Sequence, residues 1–228
     1  MDTTSAARFV AHQRAYSAVV RRVAARAVVV LAAVAGASCS RGERSLPPAP
    51  YVAPAVGTVY RYVGFNNTVV GVDGMRTRFV DDSGRQGVRV GLFISDDAEH
   101  PARIDVAQVT ALWPLEVDKQ SDVRVHDGAR AWLWRFKVVG EQNVNVPAGR
   151  FETYVVQAVQ RPDSIRDPKS GQETVVGYTF WYAPSIAAVV RFRTTYFSGP
   201  ATGKVVQSEL RGVQSPGTGA STRAGGGG

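Results

Sequence analysis

The sequence predicts a mainly all-β protein: one curved antiparallel meander, half-barrel-like, in a single domain. Three observations point there. Runs rich in Val, Thr, Tyr, Phe and Trp alternate apolar and polar residues with a period of two, as strands with one dry face do. Gly, Pro and Asp-Gly pairs punctuate those runs at hairpin intervals. No convincing amphipathic helix is available to cover such a sheet, the best candidate being the stretch around residues 106–112. The sheet therefore has to bend to hide its own apolar face.

Taken in order, the chain opens with Arg21, Arg22 and Arg26, then nine apolar residues at 27–35, then Gly36-Ala37-Ser38-Cys39. Basic, apolar and small is the order of an export signal. Nine residues fall well short of the ~20 that a membrane-spanning helix needs. Two cleavage readings stay open. Ala35-Gly36-Ala37 is a small-x-small site that leaves Cys39 as a free thiol near the new terminus. Gly36-Ala37-Ser38-Cys39 resembles the lipobox of bacterial lipoproteins, whose Cys becomes residue one and carries acyl chains. The second reading is favoured, because one unpaired Cys in an exported protein is odd and acylation explains both its singularity and its place. That resemblance implies residues 1–38 as the export signal, Cys39 as the lipidation site and the membrane as a partner through the acylated Cys39. Ser40, not Asp, follows, which by the same resemblance implies the periplasmic side of the outer membrane.

Removing the signal changes the charge. Residues 1–38 hold five Arg and one Asp, so the +8 of the whole chain falls to +4, with 22 Lys and Arg against 18 Asp and Glu. These charges are scattered, without a basic cluster or an interleaved aromatic track, and nucleic-acid binding has no support. A single Cys permits no intrachain disulfide, so stability has to come from a core.

Residues 39–56 read as a tether: four prolines fall between residues 40 and 56, and extended polyproline geometry gives a reach of ~50 Å at ~3.1 Å per residue. Tyr51 and Val52 are its two groups able to dock back. Residues 57–213 form the β domain. Thr58 to Val63 opens it, and Asp73-Gly74 is a hairpin turn. Asp81-Asp82-Ser83-Gly84 is a second turn, feeding Val88, Val90, Leu92 and Ile94 on one strand face. Ala111-Leu112-Trp113-Pro114-Leu115 is an apolar knot in which Pro114 argues against a central strand. Trp132, Trp134, Phe136 and Val138 share a face, with Arg135 and Lys137 pointing the other way. Val190, Phe192 and Tyr196 alternate with Arg191, Arg193 and Thr195. About nine or ten strands result. Residues 214–228 are small and polar, end in four Gly, and have nothing to bury.

Leu112-Trp113-Pro114-Leu115-Glu116-Val117, Val146-Pro147-Ala148-Gly149-Arg150-Phe151-Glu152-Thr153-Tyr154 and Trp181-Tyr182-Ala183-Pro184 resemble recurrent phrases of the TapB/DUF3108-like group of proteobacterial envelope proteins. Asp118 stands where that group tends to have Gly. The resemblance spans roughly residues 57–213. It implies a periplasmic half-barrel broadly similar in architecture to lipoprotein-sorting lipid carriers, and it carries no activity over to any residue.

Chemistry-bearing motifs are sparse. His100 sits with Asp96, Asp97 and Glu99, but no further His or Cys completes a metal set, and a solvated acidic loop is the simpler account. His126-Asp127 precedes Gly128 and reads as a turn; His12 leaves with the signal. Ser83 and Ser185 lack a nucleophile-elbow context. No catalytic residue, metal site or cofactor is expected, and the chain does not read as an enzyme. The aromatic set Trp113, Trp132, Trp134, Phe136, Trp181 and Tyr182 is either ordinary core or a concave wall for an acyl chain or other apolar small molecule. The expected function is an envelope protein whose curved sheet binds a hydrophobic ligand or lipid. The alternative is an interaction module docking an envelope partner protein of unknown identity.

Overall fold

Hairpins build most of the molecule. The computed structural model describes residues 45–98, 102–127, 130–162 and 175–217. Its strands are β1 (Val59–Tyr62), β2 (Phe65–Asp73), β3 (Arg76–Asp81), β4 (Gln86–Val90), β5 (Ile94–Asp97), β6 (Arg103–Ile104), β7 (Gln120–Asp127), β8 (Arg130–Val146), β9 (Gly149–Pro162), β10 (Val176–Ala183), β11 (Ala188–Tyr196) and β12 (Val205–Gln214). All twelve join one antiparallel sheet in the order β5-β4-β3-β2-β1-β12-β11-β10-β9-β8-β7-β6. The first strand pairs with β2 on one side and the last strand on the other. The chain thus enters mid-sheet, and the strand order ends at β5 and β6, which are consecutive in sequence. Residues 1–44, including Cys39, and 218–228 lie outside the described residues; Gln214, expected in the tail, still belongs to β12.

The turns follow local chemistry. Gly74, at φ +54°, opens a two-residue link between Asp73 and Arg76, a backbone that favours glycine. The Asp81 carboxylate stitches the next turn by accepting from the Ser83 and Arg85 amides at 2.9 and 3.0 Å. One expectation is corrected here. Residues 88–94 do not form one strand: the chain reverses at Gly91 (φ +59°), and Val90 pairs with Ile94 across the turn. Leu92 and Phe93 are buried in this turn, so it carries none of the polar residues that announce a surface loop.

The β8–β9 hairpin is the long axis of the sheet. Seventeen residues of β8 span ~55 Å at ~3.3 Å each. A bulge between Val138 and Gly140 resets the alternation. Before it, Trp134, Phe136 and Val138 share a face with Gln160, Ala158 and Val156. After it, Val144 pairs with Phe151 on the opposite face. Two apolar clusters result. The larger joins Phe136, Val138, Tyr154, Val156, Phe180 and Tyr182 to Val90, Phe93 and Ile94, so the β4–β5 turn packs against the far half of the sheet; Phe93 lies 5.9 Å from Phe136 and 5.0 Å from Phe180, ring centre to ring centre. The sheet is curled on itself, as its length requires. The smaller cluster holds Tyr60, Tyr62, Val144, Val146, Val190 and Leu210.

The helical stretch expected near residues 106–112 is a five-residue helix, α1 (Val106–Thr110), capped by the Asp105 carboxylate on the Ala107 and Gln108 amides. It leads into Leu112, Trp113 and Leu115, all buried. The Pro-rich segment is docked from Leu46 onward. The Leu46 amide donates to Glu141 at 2.9 Å, and the Tyr154 hydroxyl donates to the carbonyls of Leu46 and Pro47, each at 2.9 Å. Ala49 and Leu115 exchange backbone hydrogen bonds of 3.0 and 2.7 Å, and Tyr51 meets Trp113 edge to face at 5.2 Å.

Candidate functional site

The six aromatic residues singled out in the sequence do not form one wall. Trp113, Trp134, Phe136 and Tyr182 are core members of the larger cluster, and Trp132 packs against it. Their rings contact one another or neighbouring aromatics: Trp134 stacks on Phe136 at 5.8 Å and on Tyr178 at 4.7 Å, while Trp113 stacks on Phe93 at 6.0 Å and meets Tyr182 edge-on at 5.3 Å. Such ring pairs are a packed interior. Trp181 is elsewhere. It precedes Tyr182 in one strand and so faces the other way, packing against the smaller cluster. Its Nε1 donates to the Gln142 side chain at 2.8 Å, and Arg191 lies over its ring at 5.5 Å while bonding Glu209 at 2.8 Å.

The remaining sequence candidates scatter. Glu99, His100 and Pro101 lie outside the described residues. His126 sits on β7 opposite Ala131, with no second ligand-type cluster: among the described residues no group of three His, Cys, Asp or Glu is placed to hold a metal. Ser83 belongs to the Asp81 turn, and Ser185 to a single 3-10 turn, Pro184–Ile186.

Sequence reasoning missed a cleft in the first half of the sheet. Its walls are Tyr60, Tyr62, Asn67, Val69, Thr77, Phe79, Arg89 and Leu92, closed at the rim by Pro54 and by Ala187, Ala188 and Val189; its volume is about 20 Å³. Strand register assembles it. Tyr60 faces Asn67, Val69 faces Phe79, and Thr77 faces Arg89 across neighbouring strands, and directly opposed residues share a face. Gly87 opposes Phe79, and a Cβ there would stand 2.4 Å from the Phe79 ring, so the glycine is what lets the ring lie flat across β4. Arg89 in turn rests over that ring at 5.2 Å, a cation–π contact.

The electrostatics are those of buried phenols around one cation. Burial pushes the Tyr60 hydroxyl up to about 12, with Tyr62 adding to the rise and Arg89 opposing it. Burial also raises Tyr62, against the charge and hydrogen bonding of Arg89; its hydroxyl donates to the Val189 carbonyl at 2.9 Å. Tyr51 is raised by burial and pulled back by Thr77 and Arg89. At neutral pH these hydroxyls stay protonated, so the cleft offers neutral donors, apolar walls and one positive charge.

Residues 99–206 match a family model described as a protein of unknown function, DUF3108, which agrees with the phrases read in the sequence. No curated protein matches the chain. Solved structures similar to it include the hypothetical lipoprotein YmcC from Escherichia coli, 12% identical over 67% of this chain and 81% of that one, with a TM-score of 0.41. A protein described as a lipoprotein from Parabacteroides distasonis is 14% identical over 74% and 100% of the two chains, TM-score 0.40. A protein described as exported, with a YmcC-like fold, from Bacteroides fragilis is 15% identical over 73% and 99%, TM-score 0.38.

Proposed function

We propose that this chain, DUF3108-like over residues 99–206, is an exported envelope protein, anchored by an acylated Cys39 at the periplasmic face of the outer membrane, that works by binding a hydrophobic ligand or lipid and not by catalysis. The export order of residues 21–39 supports the location. The observation that carries the binding reading is the cleft. Val69, Phe79, Leu92 and the rings of Tyr60 and Tyr62 give it apolar walls, and Pro54 of the segment leading back toward Cys39 lies at its rim. On the Trp134 side the rings of Trp134, Phe136, Tyr178 and Phe180 pack on one another, whereas the Tyr60 side holds the cleft.

Size sets the mode. About 20 Å³ is room for little more than one water-sized group, so the end of a ligand enters and the rest lies outside. Each methylene taken from water contributes ~0.8 kcal/mol, which makes the affinity modest. Docking of a partner strand on a sheet edge has less to stand on: β5 offers four residues and β6 two, the short ends by which sheets avoid pairing.

Lipid extraction and native mass spectrometry of gently purified protein will recover an apolar species, and a fluorescent fatty-acid probe will compete with it. A ligand-free protein that ignores the probe overturns the binding reading. Intact-mass analysis of the membrane fraction will show acylated Cys39 as the first residue; a soluble species beginning at Ser38 overturns the anchor.

A further inference from the structure

We propose that the cleft recognises an anionic end group, a carboxylate or a phosphate monoester, with Arg89 as its counter-ion and the Thr77 hydroxyl as a neutral donor. The inference rests on the cleft being the ligand site.

Two neighbouring deficits carry it. The first is charge. Arg89 is half-buried on β4, and among the side chains the structure describes, which do not include those of Asp96 and Asp97, no carboxylate pairs with it. Arg85, Arg135, Lys137 and Arg191 have such pairs, with Asp81, Asp122, Asp118 and Glu209. Arg89 instead has the Phe79 ring at 5.2 Å and the phenols of Tyr51, Tyr60 and Tyr62. Withdrawing a guanidinium from water without an anion is costly, and a π-face returns only part of that cost. The second deficit is a hydrogen bond. Thr77 is 5% exposed, lines the cleft, and its Oγ1 has only the neighbouring Tyr51 hydroxyl within influence, too poorly placed to make a well-formed hydrogen bond. A buried hydroxyl in that state costs roughly 1–3 kcal/mol.

Thr77 and Arg89 are direct cross-strand partners, so both deficits open at one place. A neutral guest satisfies the hydroxyl and leaves the charge. An oxyanion satisfies both: the guanidinium fork grips two oxygens, and Thr77 donates to one of them. The apolar walls of Val69, Phe79 and Leu92 lower the local dielectric and strengthen the pair. The volume of about 20 Å³ admits little more than one oxygen of the head group and leaves the rest of the ligand outside.

The test is calorimetric titration of the full mature chain with octanoate, octyl phosphate and the neutral octanol. Octanoate or octyl phosphate is expected to bind at least ~10-fold tighter than octanol, a difference of ~1.4 kcal/mol; whichever of the two is preferred identifies the source of the anion. Arg89→Gln should abolish that preference, the anions losing far more affinity than octanol does. Thr77→Val should weaken only the anions, by about threefold, with no fall in Tm, since an isosteric apolar group removes the orphan hydroxyl. Equal binding of octanol and both anions to the native chain overturns the inference while the ligand-site reading stands. No saturable binding of any of the three overturns both. The native-chain comparison decides the matter even if a variant fails to fold.

Discussion

Asp118 holds a left-handed backbone, φ +69°, two residues before β7, where the resemblance noted in the sequence carries Gly. L-residues pay about 1–2 kcal/mol in this region, Asp less than most. The exposed Asp118–Lys137 pair at 3.0 Å returns little of it. Asp118→Gly is therefore expected to raise stability by up to ~1 kcal/mol, and Asp118→Val to lower it by ~1–2 kcal/mol, both read from chemical denaturation midpoints. A loss on Asp118→Gly larger than ~1 kcal/mol would mean that the ion pair outweighs the strain. Other residues were legible to differing degrees. The inward set Trp134, Phe136 and Val138 is visible because nothing interrupts its alternation before the bulge. Trp181 and Tyr182 were separable on the same rule: consecutive strand residues cannot share a wall, and the structure puts Tyr182 in one cluster and Trp181 beside the other. Thr77 and Arg89 were illegible as a pair, since only the β3–β4 register sets them opposite each other.

At the scale of elements, the docked segment at residues 46–51 shows where composition misleads. Its prolines suggest an extended tether, yet it is held mainly through backbone groups: the Leu46 and Pro47 carbonyls on Tyr154, and the Ala49–Leu115 exchange. Carbonyl contacts of this kind leave no trace in residue type. Tyr154→Phe deletes the hydroxyl and returns both carbonyls to water. We expect a cost of ~1 kcal/mol and faster hydrogen exchange of the Leu46 and Ala49 amides. Unchanged exchange at those amides would mean that the Ala49–Leu115 bridge alone holds the segment. The turn at Gly91 was equally hidden, since it is built from Leu92 and Phe93 and buried. The turn at Asp73-Gly74 was plain because its chemistry faces solvent.

For the molecule as a whole, the buried phenols fix how stability responds to alkali. Burial, first among the causes, raises Tyr60 and Tyr182 from 10.0 to about 12 in the folded chain. Above pH 10 the unfolded chain loses these protons first and the folded chain keeps them, so the unfolded state binds fewer protons and stability falls as pH rises. The contribution is whole below pH 10 and is spent between pH 10 and 12. Denaturation midpoints should accordingly be level up to about pH 10 and decline beyond it, and Tyr182→Phe should flatten that decline; a slope unaffected by the substitution would assign it to other groups. The curved, mainly antiparallel architecture was legible because alternation and turn residues agree over most of the chain. Its closure order was not, because the pairing of β1 with β12 joins segments that local sequence pattern cannot relate.

That pairing has a mechanical consequence. The strand nearest the N-terminal side is clasped between two neighbours, with four register partners on each, and a Cβ on Gly57 would stand 3.2 Å from Pro216, so the start and finish of the sheet run side by side. Tension arriving from the N-terminal side cannot strip an outer strand one bond at a time. Once residues 46–51 are lifted off, it loads both ladders together, so the fold is most resistant to force where a membrane leash would pull.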